Sequence, residues 1–247
     1  SGDFLHGGTA GAISGGQFVV DIMKEMGYDA IGLGNPEFDF GSPHLTKLVE
    51  ENGLPVVNMN LRSLHPDSLF FTPYIIKDFG GKKIAFVGVV TPESLISEAY
   101  SFFDKQGKQM LSLCEDNLVD EVQKTVNEAR KAGAHYVILL SHLGEASAKN
   151  FLTSHRLVSS TRGIDVVLDG HTHSRIPCET VLNADGDTVL LSQTGSRFKN
   201  VGKLVIRPDG RMSTELIPVD SIKQESAHVR QVTDSIEAMM AKVTTNK

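Results

Sequence analysis

Ile164-Asp165-Val166-Val167-Leu168-Asp169-Gly170-His171-Thr172-His173 is the stretch on which the reading of this chain turns. An apolar run of strand length stops at Leu168 and passes at once into a polar loop that carries two imidazoles. Parallel α/β sheets place their ligands at the carboxyl ends of strands, so residues 164–168 read as a strand and 169–173 as its functional loop. Two imidazoles two residues apart in a bent loop can reach two neighbouring ions.

The same pattern recurs outward from this point. Residues 136–140 run into Ser141-His142-Leu143-Gly144, and residues 28–33 run into Gly34-Asn35-Pro36-Glu37-Phe38-Asp39. Ser1-Gly2-Asp3 makes a fourth loop of this kind. Singly, each has an ordinary explanation: His142 as a structural histidine, Asp3 and Asn35 as turn formers. Together they offer carboxylate, amide and imidazole ligands suited to zinc, manganese or iron.

Helical spacing fills the gaps between these runs. Gln17–Met26 stops at Gly27, residues 44–52 stop at Gly53, and residues 115–132 align Val119, Val122, Val126 and Ala129 before Gly133. Further strands are read at 54–59 and 83–90. Such β-α-β repetition predicts an α/β fold with a mostly parallel sheet. From about residue 178, strands at 179–182, 188–192, 203–207 and 214–219 alternate with the turns Asp185-Gly186 and Pro208-Asp209-Gly210, an antiparallel meander finishing the same domain. Residues 221–247 carry Val229, Val232, Ile236 and Met239 at helical spacing and read as a C-terminal helix or linker.

Length and charge bound the function. A chain of 247 residues is one domain with at most an appendage. Its 24 Lys+Arg against 30 Asp+Glu give net −6, which argues against a nucleic-acid partner. No run of apolar residues is long enough to span a membrane, and no export signal is read at the start. Cys114 and Cys178 are too few for a disulfide framework. Gly7-Gly8-Thr9-Ala10-Gly11 is no phosphate loop and is expected to be a structural loop leading into the following helix. The absence of G-x-S-x-G disfavours a serine hydrolase.

With the blocks taken in order, the chain resembles the 5′-nucleotidase branch of the calcineurin-like metallophosphoesterases, in its N-terminal catalytic domain. Residues 34–39 resemble the family's Gly-Asn-His-Glu-Phe-Asp motif, and residues 1–9 its second block. Residues 80–92 resemble its GGxKIxxxGxxTP segment, residues 137–144 its VxxLSHLG block, and residues 163–173 its GIDxxxxGHTH block. Gln193, Gly195 and Gly202 are similar to the glycine-rich stretch that follows. The likeness covers about residues 1–220, which it marks as a catalytic-type domain, with 221–247 outside it.

The resemblance implies a layered α-β-β-α sandwich with mixed sheets. It implies Asp3 as a bridging carboxylate, with Asn35, His142 and His171 completing one metal's ligands and His173 serving a second metal. The ions would be zinc or manganese, up to two, generating a hydroxide that attacks a small phosphoester, expected to be a nucleotide. Asn35 and Arg197 would meet the substrate.

Two departures from the family stand out. Its opening Asp-x-His has no match here, so the second metal is left with Asp3 and His173 alone. The first family strand is likewise unmatched, leaving an open sheet edge for which homodimerisation is expected. The motif histidine is Pro36, so Asp39, catalytic through that histidine in the family, is expected to be a cap or turn residue. Pro36 is also expected to bias Asn35 toward extended backbone. His6 is the nearest substitute imidazole. A degenerate domain that binds metal or a partner without catalysis is the alternative, and a cyclic-nucleotide phosphodiesterase on the same scaffold is not separated from it. Family members are often exported or surface-associated, which is the expected location.

Overall fold

The computed structural model describes residues 1–5, 8–147 and 149–245, with side chains as far as residue 242. His6 and Gly7 therefore lie outside the described residues, and the substitute role expected of His6 with them.

The strands are β1 (Ile31–Gly32), β2 (Val56–Val57), β3 (Leu61–Leu64), β4 (Asp67–Leu69), β5 (Tyr74–Phe79), β6 (Lys82–Val90) and β7 (Leu111–Leu113). They continue as β8 (Tyr136–His142), β9 (Val166–Asp169), β10 (Arg175–Leu182), β11 (Thr188–Thr194), β12 (Asn200–Ile206) and β13 (Met212–Pro218). The helices are α1 (Thr9–Ser14), α2 (Gln17–Met26), α3 (Ser42–Asn52), α4 (Ser94–Ser97), α5 (Leu118–Lys131), α6 (Ser154–Ser160) and α7 (Ala227–Thr245).

The main sheet has the order β10-β11-β9-β8-β6-β5. Its inner strands β11, β9, β8 and β6 are parallel, while β10 and β5 close the edges antiparallel. Strand β8 shows how the sequence builds the layers. Side chains alternate between faces along a strand. Val137 and Leu139 join Val122, Val126 and Ala129 of α5 in one core. Ile138 and Leu140 point the other way, into a core with Val57 of β2 and with Leu204, Ile206 and Met212 of the β12–β13 hairpin. A third core unites α2 and α3 with β1 and β7 through Val20, Leu45, Ile31 and Leu113. Each fully buried valine of α5 is worth about 1.5–3 kcal/mol.

The result is a mixed α/β fold of several sheets, as expected. The meander is corrected in detail: β10 and β11 belong to the main sheet, and only β12 and β13 form a separate antiparallel pair. Strand β8 runs on to His142 rather than ending at Leu140, because pairing with β6 continues through Val90. The strands read at 28–33 and 54–59 shrink to the two residue pairs that bond between β1 and β2. A short helix, Thr9–Ser14, begins within the loop expected at residues 7–11, so Thr9, Ala10 and Gly11 are helical. Helix α7 buries Ile236, and its His228 lies 3.8 Å from Glu25 of α2. Cys114 and Cys178 are both free, and among the described residues no helix is long and apolar enough to cross a membrane.

Candidate functional site

The carboxyl ends of β8 and β9, the turn after β1 and the loop at residues 1–5 meet at one place. His142, the last residue of β8, is 1 % exposed. A Cβ at Gly34 would stand 2.7 Å from its Cε1 and 2.4 Å from Asp3 Oδ1, and one at Gly170 would stand 2.7 Å from its Nδ1. Only glycine at both positions lets the ring seat here. Nδ1 lies 2.6 Å from the Ser1 carbonyl, which can only accept, so Nδ1 carries the proton. In the neutral ring Nε2 then presents a lone pair, 3.0 Å from Asp3 Oδ1. Neither of these two buried atoms has an aligned hydrogen bond. Two lone pairs at this separation call for a cation, and a proton or a metal ion meets the need. Burial disfavours charge on His142, yet the Asp3 carboxylate outweighs it and raises the imidazole above its ordinary value. Burial likewise opposes the charge on Asp3, but the His142 and His173 imidazoles hold its carboxyl below the ordinary range.

Glu37 holds the loop in place. Its side chain is fully buried. Oε2 accepts from the N–H groups of Asp3 (2.8 Å) and Gly34 (2.6 Å), and Oε1 from those of Phe4 (2.7 Å) and Leu5 (3.0 Å). Burial pushes this carboxyl upward, against the N–H groups of Leu5 and Gly34 that favour its charged form. This task of Glu37 is not legible in the motif beyond an acidic residue in a tight Pro-Glu-Phe turn. Asn35 is corrected too. Its φ of −73° and ψ of −37° are helical rather than extended. It begins a 3-10 turn at Pro36–Phe38, in which the Phe38 N–H bonds to the Asn35 carbonyl at 3.0 Å. The turn overrides the bias that proline places on the residue before it. Asp39 caps the end of this turn, its N–H bonding the Pro36 carbonyl at 3.1 Å, and its carbonyl accepts from Tyr100.

The loop after β9 brings the remaining imidazoles. His171 and His173 have φ of 76° and 58°, and Asp3 has 61°. Left-handed backbone at non-glycine residues costs about 1–3 kcal/mol each and persists where surrounding contacts enforce it. Here Glu145 supplies them, accepting from the hydroxyls of Thr172 and Ser174, while Gln193 Oε1 accepts the Ser174 N–H at 2.6 Å. His173, 58 % exposed at its side chain, sets Nε2 3.1 Å from Asp3 Oδ2. His171 sets Nδ1 3.2 Å from Asn35 Oδ1 and Nε2 3.2 Å from Glu93 Oε2. The rings of His142 and His171 lie 5.3 Å apart. Glu93 and Glu145 were not singled out from sequence; each stands just past a strand end, where the other site residues gave the cue.

Asp3, Asn35, His142, His171 and His173 are thus brought together. Among the described residues no three His, Cys, Asp or Glu side chains form a metal cage by themselves. The Asn35 oxygen, outside those residue types, belongs to the converging set. Neutral imidazoles, one amide and one carboxylate are a donor set that fits zinc or manganese. Arg197 and Phe198 are exposed and left-handed, in the β11–β12 connection. A Cβ on nearby Gly195 would lie 3.9 Å from the His173 carbonyl, so this connection borders the site.

No family model matches the chain. A 2′,3′-cyclic-nucleotide 2′-phosphodiesterase/3′-nucleotidase of Haemophilus influenzae is 31 % identical over 170 residues, covering 64 % of this chain and 25 % of that protein. A snake venom 5′-nucleotidase of Gloydius brevicauda is 29 % identical over 180 residues, covering 70 % and 28 %. The chain therefore spans little more than a quarter of these relatives. Among solved structures, a calcineurin-like phosphoesterase of Bacillus subtilis superposes with TM-score 0.76 at 21 % identity, over 98 % of this chain and 83 % of its own. A sulfate thiohydrolase of Thermus thermophilus gives TM-score 0.79 at 22 % identity, over 98 % and 42 %.

Proposed function

Because this chain belongs with the 5′-nucleotidases and calcineurin-like phosphoesterases, as their N-terminal domain, we propose that it is a divalent-metal-dependent hydrolase of nucleotide phosphoesters. The observation that carries the reading is Asp3, whose two carboxylate oxygens face different imidazoles, Oδ1 toward His142 and Oδ2 toward His173. That is how a carboxylate shared by two neighbouring cations is presented. Bound zinc or manganese would polarise the phosphoryl oxygens and lower the pKa of the attacking water.

The chain's own groups divide the remaining work. Asp3, Asn35, His142 and His171 would hold one ion, and Asp3 and His173 would reach a second. Asn35 and the imidazoles add no negative charge, so the centre stays attractive to a phosphate dianion. Arg197 would meet that phosphate from the bordering loop. Pro36 has neither an N–H nor a titratable group, so position 36 offers no acid to the leaving oxygen. An exported location belongs to the same reading, supported by the venom relative.

The test is phosphate release from a nucleoside 5′-monophosphate and from 2′,3′-cyclic nucleotides by the manganese- or zinc-loaded chain. Asp3→Asn is expected to lower the rate by more than about 100-fold, beyond the loss typical of a supporting residue. Metal binding without turnover of either substrate would instead support a binding-only domain, the reading that Pro36 favours.

A further inference from the structure

We propose that Glu93 is a positioning residue for His171: it receives the Nε2–H of that ring and so fixes the tautomer that presents Nδ1, beside Asn35 Oδ1, to a bound divalent metal. The inference rests on the metal centre of the proposed function and assigns the ring atom and its support.

A neutral imidazole has one proton and two nitrogens, and the partner of one nitrogen decides what the other can do. For His171 both nitrogens face an oxygen at 3.2 Å, Asn35 Oδ1 on the Nδ1 side and Glu93 Oε2 on the Nε2 side. In the neutral ring these two oxygens compete for the one proton. A carboxylate is the stronger acceptor, because a charge-assisted hydrogen bond is roughly twice as strong as a neutral one. The proton therefore stays on Nε2. Nδ1 and Asn35 Oδ1 then offer two lone pairs to the same space, which a cation would satisfy.

Glu93 is itself held for this task. Its other oxygen, Oε1, lies 3.1 Å from the Lys149 ammonium. Its N–H bonds the hydroxyl of Thr91, 1 % exposed, at 3.2 Å. It stands three residues past Val90, the carboxyl end of β6, the strand beside β8, so the sheet brings it to the same rim as His142. His142 is oriented in the opposite sense, its Nδ1–H on the Ser1 carbonyl. The two histidines would therefore ligate through different ring nitrogens, Nε2 for His142 and Nδ1 for His171.

The experiment is 15N NMR of the His171 ring in the zinc-loaded chain, with zinc affinity measured by competition against a chelator. The expected result is a protonated Nε2 and a zinc-shifted Nδ1. Glu93→Ala should weaken zinc binding by about 10–100-fold and mix the tautomers. Glu93→Gln, which keeps an acceptor oxygen, should recover part of both. A protonated Nδ1 in the unsubstituted chain, unchanged zinc affinity in Glu93→Ala, or no zinc binding at all would overturn the proposal. Neither readout uses hydrolysis. Zinc binding with the expected tautomer and no nucleotide turnover would remove the hydrolase reading and leave the role of Glu93 standing.

Discussion

Glu37 and Pro36 are neighbours in one turn and carry opposite messages. Glu37 satisfies four backbone N–H groups and ties the Asp3 loop to Gly34. Glu37→Gln would turn an NH2 group toward two of those donors. The expected loss is about 2–6 kcal/mol, at 1–3 kcal/mol for each of the two orphaned donors, measured by urea unfolding. Divalent-metal affinity should fall with it, because Asp3 is held by the same carboxylate. Pro36→His restores an imidazole where the related motif has one. An acid-base group is worth about 10²–10⁴ in rate, so phosphoester hydrolysis by the metal-loaded variant should rise by at least the lower figure. No gain would mean that Pro36 is not what limits this turn.

At the scale of elements, strand β8 and the loop after β9 divide stability from chemistry. Leu139 packs under α5, and Leu139→Ala should cost about 2–5 kcal/mol while leaving the residues of the proposed metal centre untouched. The loop that carries His171 and His173 depends on Glu145. Burial opposes the charge of this carboxyl, but hydrogen bonds from Ser174, Thr172 and Gln193 hold it below the ordinary range. A depressed carboxyl stabilises the native state above its unfolded value and loses that contribution as pH falls through the folded one. Amide hydrogen exchange at residues 172–174, corrected for intrinsic rate, should therefore show loss of protection in acid. In Glu145→Gln the protection should already be reduced at pH 7 and vary little with pH.

At the scale of the molecule, Asp165 couples α5 to the main sheet. It accepts from Arg130 Nη2 and from the Val137 N–H, both at 2.6 Å. Burial nevertheless raises its carboxyl above the ordinary value, with the Val137 N–H and Arg130 opposing. The sign is thus the reverse of that for Glu145. The native state keeps this proton longer, so stability falls as pH rises from the ordinary value through the raised one. Unfolding free energies between pH 3 and pH 6, chosen to bracket the ordinary carboxyl range of about 4, should show this decline as a difference between the unsubstituted chain and Asp165→Asn, because the other shifted carboxyls titrate in both. An unchanged difference across that range would mean that Asp165 keeps no proton longer in the native state.

Periodicity and turn residues were enough to place the helix at 17–26, a helix at 115–132 that forms as Leu118–Lys131, and the inner strands of the main sheet, because each buries a face that repeats along the chain. The strand-end loops with Asp3, Asn35, His142, His171 and His173 were legible for the same reason, polar residues breaking off from apolar runs. Strand edges were less so: β8 reaches His142 only because β6 continues beside it, and a polar residue can extend a strand when its backbone is paired. The roles of Glu37, Glu93 and Glu145 depended on folding altogether. Glu37 reaches Asp3, Phe4 and Leu5 from 32 to 34 residues away, Glu93 reaches His171 from 78, and Glu145 reaches Thr172 from 27. Local pattern determined which polar residues stand at the strand ends and which strands carry them. Tertiary structure decided which carboxylate faces which N–H or imidazole, because that pairing exists only once the sheet has brought distant strand ends to one rim.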